Sequence, residues 1–107
     1  MSSRFEKTAY VVVCRDGPKG ATVRAEFTPE HMAYIETVLE ELNVAGPLFD
    51  QAGGPPVGSL YCLATKSLAR AREIIENDPY FAHGAFASVE YFPHLPAAGK
   101  YIGGKIW

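Results

Sequence analysis

Cysteine is scarce in this 107-residue chain, and no cysteine pair has a ligand-type spacing. Cys14 and Cys62 each lie within an apolar run, and neither belongs to a Cys-x-x-Cys motif. This excludes the usual redox and zinc motifs, so we expect two buried free thiols. The three histidines, His31, His83 and His94, have no close ligand spacing and no acidic cluster beside them, so no metal site is predicted.

Excess charge of one sign and long apolar runs are also missing. Ten Lys and Arg against twelve Asp and Glu give a net charge of −2. Because no basic stripe could neutralise phosphates, a nucleic-acid partner is not expected. No apolar run approaches the roughly 20 residues that span a bilayer, and the first seven residues lack the apolar core of a signal peptide. We therefore expect a cytoplasmic protein without a membrane partner.

The patterns that are present predict a single domain over residues 1–107 with a β-α-β-β-α-β order. Strands are predicted at residues 8–14, 57–64 and 86–92, and a weak edge strand at 48–51. The first helix is predicted to start at Thr28 as N-cap with Pro29 next, and to end near Asn43, where Gly46 redirects the chain with a positive φ. Ser67 is predicted to cap the second helix. This order is the split βαβ, ferredoxin-like α+β plan.

Two helices can cover one face of the predicted sheet only. Tyr10, Val12, Leu60 and Cys62, or their alternates, must therefore point to the other face. Since an apolar open face marks an interface, a homodimer or a higher oligomer stacked through the sheets is expected. Residues 94–107 form a C-terminal tail that we expect to pack on the partner subunit.

His31 is the first candidate for chemistry. It falls on the same helical face as the apolar residues Ile35, Val38, Leu39 and Leu42, and so points inward. Two interpretations stay open at this point. One is a packed, hydrogen-bonded histidine, and the other is a proton-transfer group at the rim of the core.

Asp78 and three further residues complete the candidate site. Asp78 precedes Pro79, so it either caps the next short turn or acts with His31, and the two roles are compatible. The helices run roughly parallel, so residues 78–84 must fold back for this pair to meet. Ser59 is either a strand-start residue or a substrate contact. Arg24 is either a solvated side chain or a contact for an anionic group. Tyr80 forms a wall of the core or of a pocket. For His83 a surface position is expected.

Several segments together resemble the YciI-like (YCII-related) family. They are Glu30-His31, Ala45-Gly46-Pro47-Leu48, Gly58-Ser59, Asp78-Pro79-Tyr80 and Ala82-His83-Gly84. The resemblance covers about residues 10–93; Pro29-Glu30 precedes His31 here, and the segment 16–27 matches the family poorly. It implies a ferredoxin-like fold that forms dimeric α+β barrels, with an active site built around His31 and Asp78.

One member type of that family is a dehydrochlorinase of chlorinated hydroxyhydroquinones. The resemblance thus implies a small lyase- or dehydrochlorinase-type enzyme that needs no cofactor and acts on a cyclic, oxygen-rich small molecule. Two alternatives stay open: a non-catalytic ligand-binding or accessory protein, and an oxygenase-like relative, because fold kinship alone is a weak guide to function. Clustering of His31, Asp78 and Ser59 around one cavity would favour the enzyme.

Overall fold

A four-stranded antiparallel sheet forms the centre of the computed structural model, which describes residues 9–106. Its strands are Ala9–Asp16 (β1), Leu42–Phe49 (β2), Pro56–Leu63 (β3) and Phe86–His94 (β4), in the spatial order β2-β3-β1-β4. The two most apolar strands, β1 and β3, are the central pair, as the sequence predicts. Thr8 and Trp107, which the sequence analysis placed in the first strand and in the tail, lie outside the described residues.

Three α-helices connect the strands. They span Gly20–Thr37 (α1), Leu68–Glu76 (α2) and Pro79–Ala82 (α3), and a 3₁₀ turn, Leu39–Glu41, follows α1. Beyond β4 the chain forms two short paired strands, Ala98–Gly99 (β5) and Gly104–Lys105 (β6), around a second 3₁₀ turn. The order of the main elements is β-α-β-β-α-β, with α3 inserted before β4, which is the predicted ferredoxin-like α+β fold. None of the helices among residues 9–106 is both long and apolar enough to span a membrane.

The predicted start of the first helix is wrong by nine residues. The helix begins at Gly20, and Pro29 lies inside it. A proline there removes one backbone hydrogen bond and normally disfavours a helix. Burial of Val23, which packs with Tyr80 and Ala85, and the ion pair of Arg24 outweigh that loss. Arg24 therefore lies on the helix and not ahead of it.

The predicted end of the first helix is also wrong. It ends at Thr37, so Leu39 lies exposed in the 3₁₀ turn and Leu42 begins β2. Ile35 and Val38 do pack against the core, as expected for the face that carries His31. The edge strand is predicted at 48–51 but spans Leu42–Phe49, so Gly46 lies inside β2, and its φ is not positive.

The core lies between the sheet and the helices. Val12 and Cys14 of β1 and Tyr61 and Leu63 of β3 pack against Ala71, Ile74 and Ile75 of α2. Because paired residues of neighbouring strands share a face, the pair Val12 and Tyr61 fixes which residues face the helices. Tyr10 and Val12 thus lie on the helix face, so in β1 it is their alternates that point to the open face. Leu60 and Cys62 point to the opposite face, as expected.

Candidate functional site

The short helix α3 brings the two main candidates together. Asp78 ends the turn after α2 and caps α3, where its carboxylate accepts the backbone N–H of Tyr80 at 2.9 Å. Since α3 packs against α1, Asp78 reaches the inner face of α1. Its Oδ1 lies 2.8 Å from Nδ1 of His31. The two residues that the sequence separates by 47 positions form a hydrogen-bonded dyad.

The surroundings of Asp78 fix which nitrogen of His31 carries the proton. The Asp78 side chain is 1% exposed and also accepts a hydrogen bond from the hydroxyl of Tyr61, 2.7 Å from Oδ2. With three donors converging on it, the carboxylate acts as an acceptor, so His31 donates from Nδ1. In the neutral imidazole, Nε2 then carries the lone pair. That side chain is 15% exposed and lines a cavity.

Tyr61 stays a protonated donor under this arrangement. Its burial, followed by the negative charge of Asp78, raises the pKa of the Tyr61 hydroxyl far above its usual value. Tyr61 is buried, with only 2% of the residue exposed, at the inner wall of the cavity. Tyr61 therefore holds one carboxylate oxygen while His31 and α3 share the other.

Tyr80 forms a wall beside the dyad. Its ring stacks on the His31 imidazole with centroids 3.9 Å apart and planes 7° from parallel. Its hydroxyl lies 2.9 Å from the hydroxyl of Thr28, which donates its own proton to the backbone carbonyl of Arg24. Tyr80 is thus the donor to Thr28. Ring stacking and this hydrogen bond fix the plane of His31.

A second polar pair lies next to the dyad. Arg24 of α1 makes two hydrogen bonds to Asp16 at the end of β1, from Nε at 2.8 Å and from Nη2 at 3.0 Å. The two side chains are 11% and 10% exposed. Burial works to lower the pKa of Arg24, but the hydrogen bond and charge of Asp16 outweigh it, so the pKa of Arg24 is raised. The guanidinium is a fixed, permanent cation.

Arg24 also orients Ser59. Its Nη2 donates to the Ser59 hydroxyl oxygen at 3.0 Å. Because a guanidinium can only donate, Ser59 accepts there and keeps its own O–H for another acceptor. Both residues line the same cavity as His31. The arrangement offers hydrogen-bond donors to an oxygen atom inside the cavity.

The cavity itself has a volume of about 450 Å³, which suits a small organic ligand. Its polar groups come from α1, β3 and α3, which converge at one end of the sheet. Apolar side chains from α1 and from the β2–β3 edge form the remaining walls, namely Met32, Ile35, Ala45, Pro47 and Pro56. A flat ring with a few polar substituents matches this combination of apolar walls and a polar end.

All five residues singled out from the sequence meet at this site. His31, Ser59, Arg24 and Tyr80 line the cavity, and Asp78 lies directly behind His31. His83 lies exposed and stacks on Phe27 with centroids 3.6 Å apart, away from the cavity lining.

Sequence reasoning missed three supporting residues: Tyr61, Asp16 and Thr28. Tyr61 follows Ser59 by two positions, and the alternation of a strand places both on one face, so that signal was available. The sequence predicts Thr28 only as a helix cap, and Asp16 joins the site because α1 starts early enough to place Arg24 against it.

Cys14 offers no alternative nucleophile. Cys14 lies in the core below the site, and burial, with a further contribution from the Asp78 charge, raises the pKa of its thiol to about 12. A thiol in that state is protonated near neutrality. Within residues 9–106 no group of three His, Cys, Asp or Glu side chains is arranged to hold a metal ion.

Comparison with known proteins gives a family and similar solved structures. The sequence model of the YCII-related domain matches residues 8–94. The structure of a 5-chloro-2-hydroxyhydroquinone dehydrochlorinase (TftG) from Burkholderia phenoliruptrix AC1100, in complex with 2,5-dihydroxybenzoquinone, is 25% identical in sequence. It superimposes with a TM-score of 0.74 over 87% of this chain and 97% of that one.

A second solved structure is more distant. It is a dimeric ferredoxin-like protein of unknown function from Thermobifida fusca YX, with 10% identity and a TM-score of 0.43 over 80% of this chain and 87% of that one. No curated protein sequence shows significant similarity to the chain.

Proposed function

The chain belongs to the YCII-related domain family, and from that premise we propose that it is a cytoplasmic, cofactor-independent enzyme of the lyase type. The proposed substrate is a cyclic small molecule that carries several oxygens, and the proposed reaction is an elimination started by proton removal. One observation carries the proposal. The buried Asp78 carboxylate holds the imidazole of His31 at Nδ1, and the His31 side chain lines the cavity.

In the proposed reaction His31 is the general base. Nε2 accepts a proton from a ring hydroxyl or from an acidic ring carbon, and the electron pair of that bond moves into the ring. In an aromatic substrate the ring carbon that bears the chlorine takes up a proton as this tautomer forms. Loss of a proton from a second ring hydroxyl then expels chloride with its bonding pair, so one hydrogen halide is lost in total and no oxidant is needed. Asp78 stabilises the imidazolium that forms, as expected for a base oriented by a carboxylate.

Arg24 and Ser59 are proposed to hold the substrate. Negative charge develops on a ring oxygen as the proton leaves, and donors already fixed in place stabilise such charge best. Arg24 is held by Asp16 and Ser59 by Arg24, so neither group needs to reorganise during the reaction. Tyr80 supports His31 from the side and supplies an aromatic wall for a flat ring.

The similar dehydrochlorinase suggests the compounds to test first. Its substrate class and its bound 2,5-dihydroxybenzoquinone are flat rings with several oxygens, which fit an apolar cavity of about 450 Å³ with a polar end. We therefore propose chlorinated hydroxyhydroquinones as trial substrates and 2,5-dihydroxybenzoquinone as a trial ligand.

The test measures chloride release from 5-chloro-2-hydroxyhydroquinone under anaerobic conditions. We expect turnover by the parent chain and a loss of about 10²–10⁴-fold in His31→Ala, the usual range for removal of a general base. His83→Ala is the matched control, because His83 lies exposed outside the cavity. Unchanged chloride release by His31→Ala would show that the catalytic assignment is wrong.

The non-catalytic alternative predicts a different pattern. A binding protein would bind 2,5-dihydroxybenzoquinone, for instance in a calorimetric titration, and would release no chloride from any compound of the series. The geometry favours the enzyme, because the hydrogen bond of His31 goes to a buried carboxylate and not to the backbone alone.

We also propose that the enzyme works as a homodimer stacked through its sheets. The long helices pack on one sheet face, whereas the other face presents Val11, Val13 and Leu60 half-buried. Val44 and Phe92 on the same face are 37% and 48% exposed. Covering this apolar face with a second copy would remove it from water, and the C-terminal tail is proposed to add contacts with the partner.

Light scattering tests the dimer. Leu60→Asp, on the open face, should shift the parent dimer toward a monomer near 11.7 kDa at micromolar concentration. Leu39→Asp is the matched control, since Leu39 is 56% exposed in the 3₁₀ turn after α1. A monomeric parent chain would end this proposal and leave the proposal of enzymatic activity intact.

A further inference from the structure

We propose that Tyr61 is a positioning residue that controls the base through Asp78. In this proposal, which rests on the proposed role of His31, the Tyr61 hydroxyl binds the carboxylate oxygen farther from the imidazole. It thereby limits how much negative charge acts on the ring and keeps His31 available as a free base. Nothing in the family comparison assigns a role to Tyr61.

The problem that Tyr61 would solve is intrinsic to a histidine–carboxylate pair. A carboxylate within hydrogen-bond distance favours the imidazolium, and a protonated ring cannot accept a proton from a substrate. Asp78 is buried, so water cannot disperse its charge. The negative charge of Asp78 must therefore be dispersed by hydrogen-bond donors of the protein.

The donors around Asp78 are divided unevenly between its two oxygens. His31 and the backbone N–H of Tyr80 share Oδ1, whereas Oδ2 has the Tyr61 hydroxyl at 2.7 Å. The Tyr61 side chain comes from a central strand and is itself buried, so it is held rigidly. Its hydroxyl stabilises negative charge on the oxygen remote from His31 and also stops the carboxylate from rotating.

Other titratable groups face this cluster from every neighbouring element. Tyr80 comes from α3, Arg24 and Tyr34 from α1, and Cys14 and Asp16 from β1. Arg24 is compensated by Asp16, and burial raises the pKa of the Cys14 thiol and of the Tyr34 hydroxyl, which keeps both neutral near pH 7. The uncompensated charge beside His31 is therefore that of Asp78, on which Tyr61 acts directly.

The experiment compares the parent chain with Tyr61→Phe. Nitrogen-15 NMR of the imidazole, with its signals assigned by their loss in His31→Ala, gives the imidazolium fraction of His31 at a fixed pH near 7. We expect a larger imidazolium fraction in Tyr61→Phe. The acid limb of kcat/KM should move up by about one pH unit, which means about tenfold lower kcat/KM at a given pH on that limb.

Tyr34→Phe is the matched control. Its hydroxyl donates to the backbone carbonyl of Ile74 at 2.6 Å and does not bind Asp78, so loss of that hydroxyl should leave the imidazolium fraction of His31 unchanged. If the role of Tyr61 is merely structural, Tyr61→Phe should lose stability as Tyr34→Phe does, and neither the His31 signals nor the pH profile should move.

A second substitution keeps the test decisive if Tyr61→Phe does not fold. Tyr61→3,5-difluorotyrosine retains the ring and makes the hydroxyl a stronger donor, so the imidazolium fraction of His31 should fall instead of rise. An unchanged fraction in either Tyr61 variant, or a change opposite to the one stated, overturns the proposal. Absence of turnover in the parent chain would refute the proposed function alone, because the NMR readout needs no substrate.

Discussion

Asp78→Ala should destabilise the fold even though the residue lies beside a proposed active site. Asp78 caps α3, and loss of such a cap costs about 1 kcal/mol. The substitution also leaves the buried Tyr61 hydroxyl without its acceptor, which costs about 2 kcal/mol. The His31 side chain is 15% exposed and lines the cavity, so we expect the loss of its partner to add little. The free energy of unfolding should therefore fall by about 3 kcal/mol, a large part of the roughly 5–15 kcal/mol of a small domain.

Urea unfolding at one fixed protomer concentration measures this difference, because dimer formation would make stability depend on concentration. Asp78→Asn is the informative comparison. Its amide oxygen can still cap α3 and accept from His31, and its NH₂ group can donate to the Tyr61 oxygen. The Tyr61 O–H proton still loses its acceptor, so we expect Asp78→Asn to cost about 2 kcal/mol or less and less than Asp78→Ala, while it removes the charge that stabilises an imidazolium.

A loss below about 1 kcal/mol in Asp78→Ala would refute the reasoning. It would mean that relief from burying a carboxylate beside a neutral histidine cancels the lost cap and the lost acceptor. His31→Ala, at the cavity rim, should cost less stability than Asp78→Ala while costing more activity than Asp78→Asn.

Three further predictions concern the sheet. Folding raises the pKa of the Cys14 thiol from 9.0 to about 12. The stability contributed by the neutral thiol is therefore present below pH 9 and is lost as pH rises toward 12. In urea unfolding at alkaline pH, Cys14→Ala should show a smaller loss of stability with pH than the parent chain. Equal slopes in both chains would contradict this. Cys14 and Cys62 are both buried and should react with a maleimide only after denaturation; rapid native labelling would show an exposed thiol. A Cβ on Gly58 would lie 2.3 Å from the Cys14 carbonyl oxygen, whereas one on Gly46 would meet nothing within 4 Å, so Gly58→Ala should unfold at far lower urea than Gly46→Ala. Equal midpoints would show that β1 and β3 can separate without cost.

Local chemistry in the sequence determined much of the fold. The β-branched run of β1, the apolar run of β3, the Ser67 cap of α2 and the Asp78-Pro79 cap of α3 are decided by neighbours along the chain, and each appears where the sequence predicts it. The edge position of β2 also follows from its weak pattern. From these elements the ferredoxin-like order could be predicted.

Only the tertiary structure decided where α1 begins and how the site is assembled. Thr28-Pro29 is a helix start by local preference, and burial of Val23 together with the Arg24–Asp16 pair overrides it. The contact between His31 and Asp78 depends on how α3 folds back against α1. Contacts between residues far apart in the chain leave no local pattern, because their free energy comes from packing that exists only once the elements have assembled.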